Sequence, residues 1–241
     1  MTPTELWLIW QNPKTRQRYH VGSLLHDKER YVFYYVTKGP RSLTDALNNG
    51  YRPHLAFPDV TKVYESTKLF PAFARRLPDR RRPDFMNILQ ELGLSVDYTV
   101  MDLLKATGGR LGTDNYEFVT PIYKENGRFH ITFHVAGWRY YDGYKAQQEL
   151  KEGNHIYFRL EPDNPVDMHA VTVHSKSGQM LGYVPAFYSW FLYEVIESGN
   201  QYEAFIRSFN ERAKPQLVLC VDVVGEVEKL TNTFIIKSLY V

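Results

Sequence analysis

Three hydrophobic patterns follow one another along the chain, and each predicts a different kind of element. Apolar and aromatic runs, Leu6-Trp7-Leu8-Ile9-Trp10 and Tyr31-Val32-Phe33-Tyr34-Tyr35-Val36, have the composition of strands. Between them a turn over Asn12-Pro13-Lys14 and a strand ending at Val21-Gly22 complete a meander. Helical spacing comes next. Leu69, Phe70, Phe73 and Leu77 fall on one face, then Phe85, Ile88, Leu89 and Leu92 with Gly93 as the stop; a third helix is expected from Thr99 to Thr107, ended by Gly108-Gly109. Tyr116, Phe118, Val119 and Ile122 predict a further strand. Over Phe129 to Ala136 the pattern alternates with period two, setting Phe129, Ile131, Phe133 and Val135 on one side and His130, Thr132 and His134 on the other. The fold class expected is α+β.

The stretch from Gly108 to Gly127 is rich in glycine and polar residues, and the boundary between two domains is placed there, giving domains at 1–124 and 125–241. A length of 241 residues suits one large domain or two small ones. Cys220 is the only cysteine and sits in the apolar run Leu217 to Val221, so an intramolecular disulfide is impossible and a buried, reduced thiol in a cytoplasmic protein is expected. Met1 to Trp10 lacks the basic flank and apolar core of a leader, and no run reaches the roughly 18 apolar residues of a membrane span. The net charge of +2 gives no global case for nucleic acid, so a basic footprint has to be local.

Catalytic and metal chemistry find little purchase. Asp84, Asp97, Asp102 and Asp114 lack a spacing suited to two-metal hydrolysis, and no serine or cysteine lies in a nucleophile elbow. His130 and His134 share a strand face without a carboxylate or cysteine partner nearby in sequence, and a solvated face is the simpler reading. No enzyme activity, metal or cofactor is expected.

Binding chemistry gathers in three segments: Gly137-Trp138-Arg139-Tyr140-Tyr141, Glu161-Pro162-Asp163-Asn164-Pro165-Val166-Asp167 and Gln179-Met180-Leu181-Gly182-Tyr183-Val184-Pro185. An arginine beside two tyrosines can hold a phosphate while offering rings to bases, and a carboxylate such as Asp167 can accept a hydrogen bond from a sugar hydroxyl. Each segment also has a plain reading: Arg139 to Tyr141 as an edge strand serving the core, the proline-bracketed loop as a turn, and Asp167 as the cap of that turn. Arg75, Arg76, Arg80, Arg81 and Arg82, with Lys68, make the densest basic cluster, read as a solvated helix end, a phosphate-binding patch or a dock for an acidic partner.

In order and spacing the three segments resemble a HIRAN domain, over residues about 128 to 235. The resemblance implies a six-stranded, OB-like β-barrel that captures the 3′ end of single-stranded DNA. It would give Arg139 a backbone phosphate, Tyr140 and Tyr141 the terminal nucleotide, Asn164 the last sugar or base and Asp167 the free 3′ hydroxyl. Val166, Tyr183 and Ala186 depart from the DNA-binding pattern, which has an aromatic, a histidine and a lysine there; on the resemblance, Tyr183 would be the candidate to replace the lost ring, and Lys145 or Lys151 the lost charge. Upstream, Leu69 to Asp79, Asp102-Leu103-Leu104 and Gly108-Gly109 are similar to the amino-terminal subdomain of HipA-like toxin kinases, over residues about 5 to 120. No kinase core follows, so this second resemblance implies a docking module. Together they suggest a non-catalytic bacterial adaptor for DNA ends, in phage defence or a toxin–antitoxin system. The alternative is an antitoxin-like subunit that restrains a separately encoded HipA-type kinase without reading DNA.

Overall fold

The computed structural model describes residues 4–27, 29–39 and 41–227, with the backbone alone at 123–125. The chain folds as two compact units, Met1–Pro121 and Ile122–Val241. The last residues of the resemblance, 228–235, lie outside the described residues.

The first unit contains β1 (Thr4–Gln11), β2 (Arg18–Asp27), β3 (Arg30–Tyr35), α1 (Leu43–Asn48), β4 (Tyr64–Ser66), α2 (Pro71–Ala74), α3 (Phe85–Glu91), α4 (Val100–Thr107) and β5 (Tyr116–Val119). Its strands make one antiparallel sheet in the order β4-β3-β2-β1-β5. The predicted meander is present, with Leu6 opposite Leu24 and Leu24 opposite Phe33. One face of this sheet supplies Leu6, Leu8, Tyr19, Val21, Leu24, Phe33 and Tyr35 to a core completed by Phe57, Phe73, Met101 and Leu104. The helix expected over 69–77 contracts to the single turn α2. Pro71 occupies its first position, where a missing N–H costs nothing, and holds Phe70 extended; Leu69 and Leu77 pack on the core from the flanks. Thr99 and Asp102 form a reciprocal capping box that fixes the start of α4. Helix α1 has no counterpart among the expected elements: its buried positions are only Leu43 and Ala46, too few to show a period.

The second unit contains β6 (Tyr123–Glu125), β7 (Arg128–His134), β8 (Tyr157–Glu161), β9 (Ala170–His174), β10 (Met180–Tyr183), α5 (Ala186–Glu197), β11 (Tyr202–Phe209) and β12 (Leu219–Glu226). Asn126 and Gly127, both at positive φ, make the two-residue turn that pairs β6 with β7. The alternation in β7 is as expected: Phe129, Ile131, Phe133 and Val135 are buried, alongside Val221 and Val223 of β12. Helix α5 lies against β9 and places Phe191 edge-on to Phe129 and Tyr188 parallel to Phe133. Cys220 is buried and unbridged.

The closed six-stranded barrel is not what forms. The described strands make two open sheets, β11-β12-β7-β6 and β10-β9-β8, which meet at isolated bridges, Ala136–Tyr183 and His155–Phe205, with a few backbone hydrogen bonds beside them. The physical reason lies in the chain that leaves β7. Gly137 takes φ +81° and starts a 3-10 turn over Trp138–Tyr140, so pairing with β10 ends after one bridge. Pro185, without an N–H, follows β10 on the other side of that bridge. No helix among the described residues is long and apolar enough to cross a membrane.

Candidate nucleic-acid interface

The three segments are brought together by the backbone. Ala136 and Tyr183 exchange both amide hydrogen bonds, at 2.8 and 2.9 Å, which sets the segment after β7 beside the end of β10. The approach requires glycine at 182: its φ is +140°, and a Cβ there would stand 2.3 Å from the Ala136 carbonyl oxygen. The amide of Asp142 donates to the Met180 carbonyl at 2.9 Å. Trp138 anchors the 3-10 turn by packing its ring on Phe209 and into the space left by Gly143. Arg139 to Tyr141 therefore form a turn, which corrects the edge strand that their composition allows.

A connected polar cluster results. The rings of Tyr141 and Tyr183 meet edge to face at 5.6 Å. Tyr183 donates its hydroxyl to Glu161 Oε2 at 2.7 Å, and Asn164 Nδ2 donates to the same oxygen at 2.7 Å. The other end of the Asn164 carboxamide accepts the backbone amides of Val166 at 2.9 Å and Asp167 at 3.1 Å. Burial first, and then the bond to Glu161, push the Tyr183 phenol well above the usual tyrosine range, so it stays protonated and able to donate. Glu161 lies inside the proline-bracketed segment yet is absent from the residues that the sequence marks as a site. The signal available is a carboxylate at the end of a strand, one residue before a proline, with no charged partner in its segment.

Asp167 caps its own turn and keeps one carboxylate oxygen without a partner among the described residues. Its Oδ1 accepts the amide of His169 at 3.0 Å, capping the turn, whereas Oδ2 has no partner among the described residues, and the side chain is 24% exposed. Nδ1 of His169 stands 3.8 Å from that Oδ1, beyond hydrogen-bond reach.

Arg139 and Tyr140 stand apart from this cluster and contact each other. The guanidinium lies over the Tyr140 ring at 4.6 Å and donates to its hydroxyl. Tyr140 is 68% exposed, so the core-aromatic reading does not hold for it. Val166 and Met168, on either side of Asp167, are exposed apolar side chains as well. Of the replacement charges, Lys145 is paired with Asp142 at 2.7 Å, and Lys151 is exposed.

The five-arginine patch of the first unit does not survive folding intact. Arg76 is buried, bonded to Asp114 and to the Gly109 carbonyl at 2.9 Å, with its guanidinium over the Tyr116 ring, so it cannot meet a ligand. Arg81 pairs with Asp79 and Arg82 with Asp84, each at 2.8 Å, and Arg80 lies over Tyr98. Arg75 is exposed. His130 bonds to Asp222 at 3.2 Å, which Arg207 also approaches; among the described residues no group of three or more candidate ligands could hold a metal.

Residues 128–228 match the family model of the HIRAN domain, and this part of the chain is a HIRAN domain. A search of curated proteins finds no match. Two solved structures are similar. The HIRAN domain of human HLTF is 18% identical, with a TM-score of 0.35 over 44% of this chain and 84% of that one. A Lactobacillus plantarum protein solved by a structural-genomics consortium is 20% identical, with a TM-score of 0.35 over 42% of this chain and all of that one.

Proposed function

We propose that the HIRAN domain at residues 128–228 binds DNA and holds an exposed single-stranded 3′ end on the surface built by residues 137–141, 161–167 and 180–183. The observation that carries this reading is the exposed Arg139–Tyr140 pair one residue along the chain from a hydrogen-bonded cluster of Tyr141, Tyr183, Glu161 and Asn164, which in turn holds the Asp167 turn. The Tyr140 ring offers a face to a base, and the guanidinium beside it a charge to a phosphate. The open oxygen of Asp167 accepts a terminal hydroxyl. The same carboxylate repels a terminal phosphate, so chemically different ends are told apart by charge. These are contacts of binding, and no bond of the DNA is made or broken in this reading. The first unit serves as a protein-docking module; its support is the sequence resemblance at 69–79 and 102–109.

Fluorescence anisotropy with oligonucleotides ending in 3′-OH or 3′-phosphate tests the proposal. Asp167→Ala is expected to cut the preference for 3′-OH by roughly 10- to 100-fold, the range for losing a hydrogen bond to a charged group. Arg139→Ala is expected to lower the logarithmic salt slope by about 0.7, the value of neutralising one phosphate of a single strand. Equal and negligible binding by wild type and both variants ends the DNA reading.

A further inference from the structure

We infer that Glu161 is a positioning residue that fixes which way the Asn164 carboxamide faces, and through it the turn that presents Asp167. The inference rests on the reading that this surface receives a strand end. A carboxamide has a donating and an accepting end of nearly the same shape, so its orientation is decided by what surrounds it. Here the two ends have different partners: Nδ2 faces Glu161 Oε2 at 2.7 Å, and Oδ1 receives the amides of Val166 and Asp167 at 2.9 and 3.1 Å. A carboxylate only accepts, so it rejects the flipped carboxamide. That flip would set the amino group against two backbone N–H donors and undo the turn. Glu161 Oε2 is itself held, because the Tyr183 hydroxyl donates to it at 2.7 Å and also stands 3.4 Å from Asn164 Nδ2. Tyr183 is fixed in turn by the paired backbone bonds to Ala136 and by the Tyr141 ring. A chain of directional contacts thus runs from the end of β10, through Glu161 and Asn164, to the carboxylate proposed to meet the 3′ hydroxyl. Glu161 touches no DNA in this scheme; it acts by where it puts Asp167.

The test uses the full chain with Glu161→Ala and Glu161→Gln. One readout is NMR hydrogen exchange at the Val166 and Asp167 amides, referenced to amides of β9. The other is the ratio of affinities for oligonucleotides ending in 3′-OH and 3′-phosphate. Glu161→Ala is expected to speed exchange at these two amides by about tenfold with β9 unchanged, and to bring the affinity ratio toward one. Glu161→Gln keeps an acceptor without the charge and is expected to speed exchange by about fivefold. Unchanged exchange in Glu161→Ala overturns the inference, and so does faster exchange with an unaltered ratio. Should Glu161→Ala also expose β9, the near-isosteric Glu161→Gln decides, and wild-type exchange in that variant overturns the inference. If the wild type binds neither oligonucleotide, the DNA reading fails, and the exchange rates alone decide whether Glu161 sets the turn.

Discussion

Two arginine-bearing segments, one in each unit, have opposite fates. Between Arg75 and Arg82 five arginines crowd into eight positions, but Asp79, Asp84 and Asp114 take three of them and Arg76 is buried among polar and aromatic partners. Between Gly137 and Tyr141 there is a single arginine; no carboxylate pairs with it among the described residues, and it lies over an exposed tyrosine. Density of charge is therefore a poor guide to binding. Positive charge becomes available where the fold withholds counter-charge: the one arginine of the sparse segment has no carboxylate partner among the described residues, whereas three of the five in the dense segment are paired with one.

The largest test of this contrast is on stability. Asp114→Ala leaves the Arg76 guanidinium buried without its anion. It is expected to destabilise the first unit by about 3 kcal/mol, toward the low end for broken buried pairs because Asp114 itself is partly in water, as measured by urea unfolding. A change well below that would mean Arg76 is available after all.

Next comes the pH response of the first unit, which buries a second ionisable group, His20, stacked on Trp7 and bonded to the Gly22 carbonyl. Burial lowers its pKa to about 3, against the opposing effect of that hydrogen bond. The folded state needs the neutral ring, so its contribution is complete above the ordinary value near 6.5 and is lost as the pH falls toward 3. Stability is expected to drop by roughly 1.4 kcal/mol per pH unit below about 6.5. Glu5, whose carboxyl burial pushes up, acts in the opposite sense, so the measurement is the difference in urea midpoints between wild type and His20→Leu at about pH 7 and about pH 5. Equal slopes in the two proteins would contradict the burial of His20.

In the second unit the expected effects fall on binding. Tyr140→Ala should weaken single-stranded DNA binding by roughly 1–3 kcal/mol, the value of one stacked base, without moving the thermal unfolding midpoint. A fall in that midpoint would instead place the ring in the fold. The smallest effect is expected from Arg81→Ala. Its hydrogen bonds to Asp79, which hold that carboxyl down to about 2, already engage the charge, so the salt slope of DNA binding should stay at the wild-type value. A lowered slope would restore the first unit to the DNA path.

What the residues alone determine is whatever depends on neighbours in the chain. The meander of β1 to β3, the ends of α3 and α4, the buried alternation of β7 and the turn bracketed by Pro162 and Pro165 each follow from a period, a cap or a fixed φ within a few positions. Helix α5 gives no such signal because it is apolar on nearly every side and shows no polar stripe. The HIRAN assignment is likewise legible, since it rests on the order and spacing of three segments. Tertiary structure alone decides that the sheets stay open, because one bridge at Ala136–Tyr183 cannot be foreseen without knowing that Gly137 turns the chain away. It decides that Arg76 is buried against Asp114, 38 positions away, and that Glu161 joins Asn164 to Tyr183, 22 positions beyond it. Hydrogen bonds and ion pairs act over a few ångströms in space whatever their separation along the chain, so the residues that share a site are chosen by the path of the backbone.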